Sequence, residues 1–387
     1  MKFVVENGIL LKFIEEESSD PVIIPDDVIK IEKNAFEGCR RIQTVVLPQT
    51  VKAIGEGAFY NCSSLKSVNI PQDVSIIEDY TFCGCSSLEY ISLPDGIIEL
   101  GHMAFRWCSS LHSVKLPKGL TRLGGCVFEF CESVSAVDIP IGVKSIPRGA
   151  FRGCTMLSRV GFSEGLSELC EYSFYDCVSL KRIDFPKSLK SIGCHAFAGC
   201  SFLREIMLPN GLEQLDTGCF AVCECLEKVF VPESVEIVGE SIFNGCRRLK
   251  GICVGKYDIA AENADLENIN MCDLCMLAIK GDYNVQLDFL TTFALARLFY
   301  SQSPRIEEER FIKENAVRFI EYYIRGNDYY TVKELLDSGL ISAENIDALI
   351  EMAIENTQAG DSVEIQLLII DYKHKNFPGE AWSEGGI

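Results

Sequence analysis

The chain of 387 residues is poor in positive charge and in the side chains that most often do chemistry. It has 36 basic residues against 56 acidic ones, a net charge of −20, with four histidines and two tryptophans. A protein that neutralises phosphates needs a basic surplus, so no nucleic-acid partner is expected. No uncharged apolar stretch of about 18 residues occurs, so no membrane insertion is expected. The start, MKFVVENGILLKFIEEESSD, has no basic segment followed by an apolar one, because Glu6 and Lys12 interrupt it, and no secretory leader is expected. The P-loop, the dinucleotide glycine fingerprint and the HExxH zinc string are all missing. His102, His112, His195 and His374 lack neighbouring acid or nucleophile patterns. These absences predict no catalytic residues, no cofactor and no metal.

What the sequence has instead is a period. From Phe59, steps of 23 residues reach Phe36, Phe82, Phe105, Phe128, Phe151, Phe174, Phe197, Phe220 and Phe243. From Cys62 they reach Cys39, Cys85, Cys108, Cys131, Cys154, Cys177, Cys200, Cys223 and Cys246. Pro71 recurs as Pro25, Pro48, Pro94, Pro117, Pro140, Pro186, Pro209 and Pro232, with Ser163 the one exception. A fixed period of this length means stacked supersecondary units.

One unit reads Leu65-x-x-Val68-x-Ile70-Pro71-x-x-Val74-x-x-Ile77-x-x-x-x-Phe82-x-x-Cys85. Val68 and Ile70 alternate with Ser67 and Asn69, the pattern of a short half-buried strand. Pro71 has no N–H and ends it. The residue before Val74 is a turn former in every unit: Asp, Gly, Ser or Thr. The return segment carries Val74, Ile77, Phe82 and Cys85 back over the core. No unit buries its own apolar face, so about ten stacked units share one core and pair their strands about 4.8 Å apart.

These positions resemble BspA-type leucine-rich repeats over about Val22 to Val254. The resemblance implies an α/β solenoid whose parallel sheet lies on a concave face used to bind macromolecules, and many such proteins are surface adhesins. Where common leucine-rich repeats carry asparagine, this chain has Gly, Ser, Thr or Asp. Backbone satisfaction there is expected to come from turns or from the cysteine thiols. Of the 19 cysteines, ten share one repeat position. Equivalent buried niches favour free thiols acting as small hydrophobes, hence a reducing, cytoplasmic location. The string Gly161-Phe162-Ser163-Glu164-Gly165 matches a nucleophile elbow. However, Ser163 occupies the repeat's proline position and Gly165 its turn position, so the repeat accounts for it.

The ends differ from the middle. Asn7-Gly8 between apolar runs predicts an N-terminal β-hairpin cap within residues 1–21. The repeat decays after Cys246, and Gly255 stands where proline is due. From about Tyr257 the period becomes helical, giving an all-α region over 255–376 and a loose tail over 377–387. Ile346, Leu349, Ile350, Ala353 and Ile354 define one helix face, with Ser342 as its N-cap. Asp361 with Glu364 reads as a capping box, and Leu287–Phe299 as a central buried helix. Thr331–Gly339 and Val363–Lys373 resemble ankyrin-type second helices. Cys272-x-x-Cys275 could offer two thiolates to zinc but lacks a second pair at suitable spacing, so core cysteines are expected there. From Lys256 onward the chain holds 24 acidic and 11 basic residues, net −13.

The outward strand positions locate a partner site. Late in the repeat they become Arg159, Lys181, Arg182, Arg204, Glu205, Met207, Lys228 and Phe230. Arg182 is expected beside Arg159, and exposed Met207 beside exposed Phe230. Arginine, methionine and aromatics are what interface centres favour. The expected function is a non-enzymatic module that binds a protein partner through the concave repeat face. The alternatives are a surface adhesin exported without a recognisable signal, and a helical-domain enzyme targeted by the repeats.

Overall fold

The computed structural model describes residues 2–15, 21–239, 241–254, 257–260, 306–325, 329–337, 341–358 and 363–378. The chain divides into two compact units, Met1–Cys275 and Met276–Ile387. The first is a parallel β-solenoid of about ten rungs, and the second is helical.

Each full rung contributes to two ladders. The Pro-side ladder holds the expected strands, among them Thr44–Val46, Ser67–Val68, Ala136–Asp138, Arg159–Gly161, Glu205–Met207 and Lys228–Val231. Val68 is buried and Ser67 exposed, as the alternation requires. Pro71 stops the strand, and its carbonyl accepts the N–H of Val74 at 3.2 Å, closing a turn. The second, return ladder runs through Lys30–Ile31, Ala53–Ile54 and their successors as far as Ile237–Val238. Its strands are two residues long, too short to show an alternation in the sequence.

Between the ladders lies the core. The phenylalanines from Phe36 to Phe220 are fully buried and form a column of stacked rings with centroids 4.8 to 5.5 Å apart. Offset stacking of this kind adds to simple area burial. Behind it the repeat cysteines bond the backbone at the phenylalanine corner and not at the turn before Val74. Cys62 Sγ donates to the Phe36 carbonyl at 3.0 Å, and the pattern continues to Cys246 on Phe220 at 3.2 Å. From Cys62 to Cys246 each repeat thiol satisfies the phenylalanine carbonyl of the rung before it, whereas at the turn position where common repeats carry asparagine the hydroxyls of Thr50, Ser188 and Ser234 bond the carbonyls of Val28, Leu166 and Leu212. Burial pushes the Cys108, Cys154 and Cys177 thiols well above their ordinary range, so they stay protonated.

The corner between the return strand and the cysteine passes twice per rung through left-handed backbone. Tyr80 and Gly84 occupy the two positions in one rung, Met103 and Trp107 in the next, Cys126 and Phe130 after that, then Gly149 and Gly153. Gly153 has a second reason to be glycine: a Cβ there would lie 2.4 Å from the Phe130 ring.

At the N-terminus the expected hairpin forms from β1 (Lys2–Glu6) and β2 (Ile9–Ile14), turning at Asn7 and Gly8 with φ of 51° and 75°. Left-handed values at both turn residues are what a two-residue hairpin needs. Phe13 stacks on Phe36 at 5.0 Å and so begins the aromatic column. Glu15 then accepts the N–H groups of Arg40, Arg41 and Ile42 at 3.2, 2.6 and 3.1 Å. A carboxylate thus serves the amides that a preceding rung would otherwise satisfy.

At the other end the structure corrects the helical reading. Tyr257–Ala260 is a strand, antiparallel to Gly251–Val254, and it extends the Pro-side ladder past the expected edge at residue 254. Four residues cannot establish a helical period.

The helical unit contains α1 (Ile306–Arg325), α2 (Tyr329–Asp337), α3 (Ala343–Gln358) and α4 (Val363–Asn376). Ile346, Leu349, Ile350 and Ala353 are buried, and Ile354 packs partly against the same core. Ser342 stands immediately before α3, and its carbonyl accepts the N–H of Asn345. Lys373 is buried and paired with Asp347. Phe377 packs on this core against Tyr372 and is not part of a loose tail as expected; residues 379–387 lie outside the described residues. The expected helix at Leu287–Phe299, the Cys272/Cys275 pair and the Asp361 cap lie outside the described residues. No described helix is long and apolar enough to cross a membrane.

Candidate functional site: the outward face of the Pro-side ladder

The Pro-side ladder alternates, so every second residue of its strands faces solvent. Arg159 is exposed at the start of its strand and grips Asp138, one rung earlier, through two parallel bonds of 2.7 and 2.9 Å. The Arg159 guanidinium holds the Asp138 carboxyl below its usual range. Gly161 makes room for this pair, because a Cβ there would lie 2.3 Å from Asp138 Oδ1. Arg182 is exposed and bonds Asp184 at 2.9 Å within its own rung. Lys181, Arg204 and Glu205 are exposed as well. The cationic cluster is thus partly compensated by carboxylates, and an exposed pair of this type adds little stability.

The apolar part of the site follows the expected register. Met207 pairs directly with Phe230, and Glu205 with Lys228. Met207 is 62% exposed. Phe230 departs from the expectation: it is half-buried, with the Lys228 ammonium 5.0 Å from its ring centroid and Cys253 beside it in the next strand. The repeat read from the sequence runs to Val254 and so includes Cys253, but its decay after Cys246 gave no outward register for that last strand.

The sequence also missed the aromatic backing. Phe162 and Phe185 stand in a column that is otherwise Leu, Ile or Val, and their rings stack at 6.3 Å. Both lean edge-on against the buried column, on Phe174 and Phe197. A change from Leu to Phe at one repeat position is the signal that could have found them. The elbow-like Ser163 has a structural role: its hydroxyl donates to the Ile139 carbonyl at 2.7 Å. No His, Cys, Asp and Glu cluster among the described residues could hold a metal ion.

A parallel solenoid of about ten rungs, with Leu, Ile and Val at fixed places and one broad ladder open to solvent, defines a leucine-rich repeat protein. This chain belongs to the BspA type leucine rich repeat family, whose pattern matches residues 12–135 and 125–250 in six copies. It is similar to a leucine-rich repeat protein from Bacteroides ovatus, at 32% identity and a TM-score of 0.60, over 66% of this chain and 69% of that one. A leucine-rich repeat protein of T. pallidum is 28% identical with a TM-score of 0.42, over 44% of this chain and 82% of that one. A leucine-rich cell surface protein from Faecalibacterium prausnitzii is 24% identical with a TM-score of 0.36, over 65% and 92%. No curated protein matches the chain.

Proposed function

We propose that this protein is a non-enzymatic binding module that engages a partner protein through the outward face of the Pro-side ladder, between Arg159 and Phe230. The observation that carries this reading is the Met207–Phe230 step. A largely exposed methionine lies in register with a half-buried aromatic ring, flanked by Arg204, Glu205 and Lys228. An apolar centre with a polar, charged rim is the composition of a protein interface. About ten rungs at ~4.8 Å give a face roughly 45 Å long, enough for about 800 Å² per partner. Membership of a repeat family with interaction or adhesin roles supports the same reading.

The test is capture from the native lysate by the wild-type protein beside the Arg182→Glu, Met207→Glu double variant. A protein held by the wild type and lost by the variant supports the face. Equal capture by both sinks it.

We also propose a reducing compartment for the protein, because its repeat cysteines are buried and bond backbone carbonyls as small hydrophobic thiols. Digestion of the protein by protease added to intact cells would overturn this and favour a surface adhesin.

A further inference from the structure

A second surface lies at the corner of the middle rungs, where the strained backbone carries rings and arginines. Trp107, Phe130 and Tyr172 have φ of 62°, 59° and 57°. About half of the equivalent places in other rungs hold glycine, which takes this conformation without penalty. A bulky side chain there costs of order 1 kcal/mol or more. Burial does not offset it at Trp107, which is 43% exposed.

The charges here are layered. Glu129 is 3% exposed and lies between Arg106 and Arg152, one rung to either side. The Arg106 guanidinium stacks on Trp107 at 4.0 Å. Arg152 is 5.8 Å from Phe130 and 5.7 Å from Tyr172, and Arg148 is 5.8 Å from Tyr172. These distances are within cation–π range. Glu171 pairs with Arg148, and Asp176, one rung beyond Arg152, has its carboxyl pushed up by burial. The central carboxylate is therefore buried while the guanidiniums of Arg148 and Arg152 reach solvent between rings. Such an arrangement is unusual on a chain of net charge −20.

We propose that this corner binds an acidic, aromatic-containing peptide segment of a partner protein. Arg148 and Arg152 would take its carboxylates, and the open face of Trp107 would take an aromatic side chain. Trp, Tyr and Arg are the side chains that most often dominate binding energy at interfaces. The inference rests on reading the protein as a protein-binding module, but it places the contact away from the Pro-side ladder.

The test uses the full chain carrying W382F, which leaves Trp107 as the sole tryptophan. A synthetic peptide of alternating glutamate and tyrosine is titrated while Trp107 fluorescence and heat of binding are recorded. The controls are the glutamine–tyrosine and lysine–tyrosine peptides and a neutral oligosaccharide. Saturable binding of the glutamate peptide is expected, weakening with added salt. Arg148→Glu should weaken it tenfold or more, and Trp107→Ala, checked for a native circular dichroism spectrum, by a similar factor. Met207→Glu should leave it unchanged. Equal binding of the three peptides, no binding of any, binding of the sugar alone, or insensitivity to Arg148→Glu each overturns the proposal. Loss on Met207→Glu in place of Arg148→Glu would instead assign the peptide to the ladder face. That would refute the corner while keeping the module.

Discussion

Phe151→Leu removes one ring from the middle of the aromatic column. Phe151 is fully buried and stacks on Phe128 at 5.5 Å and on Phe174 at 5.3 Å, with interplanar angles of 14° and 7°. Aromatic pairs of this kind add about 0.5–1.5 kcal/mol each beyond their area, so losing both costs roughly 1–3 kcal/mol. Leucine keeps much of the buried volume, and repacking adds less than about 1.5 kcal/mol. Among the described residues Phe243 closes the column with a single ring neighbour, Phe220, at 6.0 Å, and it is half-buried. Phe243→Leu should therefore cost less than half as much. Equilibrium urea unfolding followed by circular dichroism measures both. A double-mutant cycle sharpens the comparison: Phe128 and Phe151 should couple by about 0.5–1.5 kcal/mol. Phe105 and Phe151, two rungs apart, should add within about 0.5 kcal/mol. Equal costs at Phe151 and Phe243, or equal coupling at one and two rungs, would refute the view that each rung is held by its immediate neighbours.

Glu129→Ala should destabilise by about 1–3 kcal/mol, because it leaves the mostly buried Arg106 guanidinium without its carboxylate while Arg152 can turn to solvent, and equilibrium urea unfolding measures the loss. Gly153→Ala should cost at least about 1 kcal/mol, since φ is +71° and the new methyl meets the Phe130 ring; adding Phe130→Gly should recover part of that loss in thermal melts. Asp176 carries a carboxyl that burial pushes up, so the folded state holds its proton more tightly than the unfolded chain and ionisation opposes folding. Asp176→Asn should therefore raise the melting temperature near pH 7, and the gain should fade as pH drops through the raised folded value. A gain that persists at acid pH would contradict that account.

The period, the ring column and the thiol ladder were legible because they repeat: a residue type that returns every 23 positions in a stack has one environment. Phe36 through Phe220 and Cys62 through Cys246 behave alike for that reason. The outward register of Met207 on Phe230 followed from the same arithmetic. Features that occur once, or that depend on neighbouring rungs, were not legible. Glu15 caps amides some 25 residues away, with no pattern to announce it. Asp138 meets Arg159 at a separation of 21, slightly out of phase with the repeat. The return ladder hides in two-residue strands, and the left-handed corner accepts Trp, Phe, Tyr, Asn and Gly alike, so composition does not mark it. Phe230 looked exposed because its cover comes from a strand beyond the last clear repeat.

The thiol column has a kinetic consequence. While the rungs are closed, burial keeps the thiols of Cys108, Cys154 and Cys177 protonated and shielded, and an oxidant finds no thiolate to attack there. Opening a run of neighbouring rungs releases several thiols together. In a reducing medium such openings close again and leave no trace. In an oxidising one, freed thiolates can pair before the rung recloses, and the chain is then held in a state that cannot restack. The surrounding redox potential therefore decides whether unfolding of this solenoid is an excursion or a one-way step.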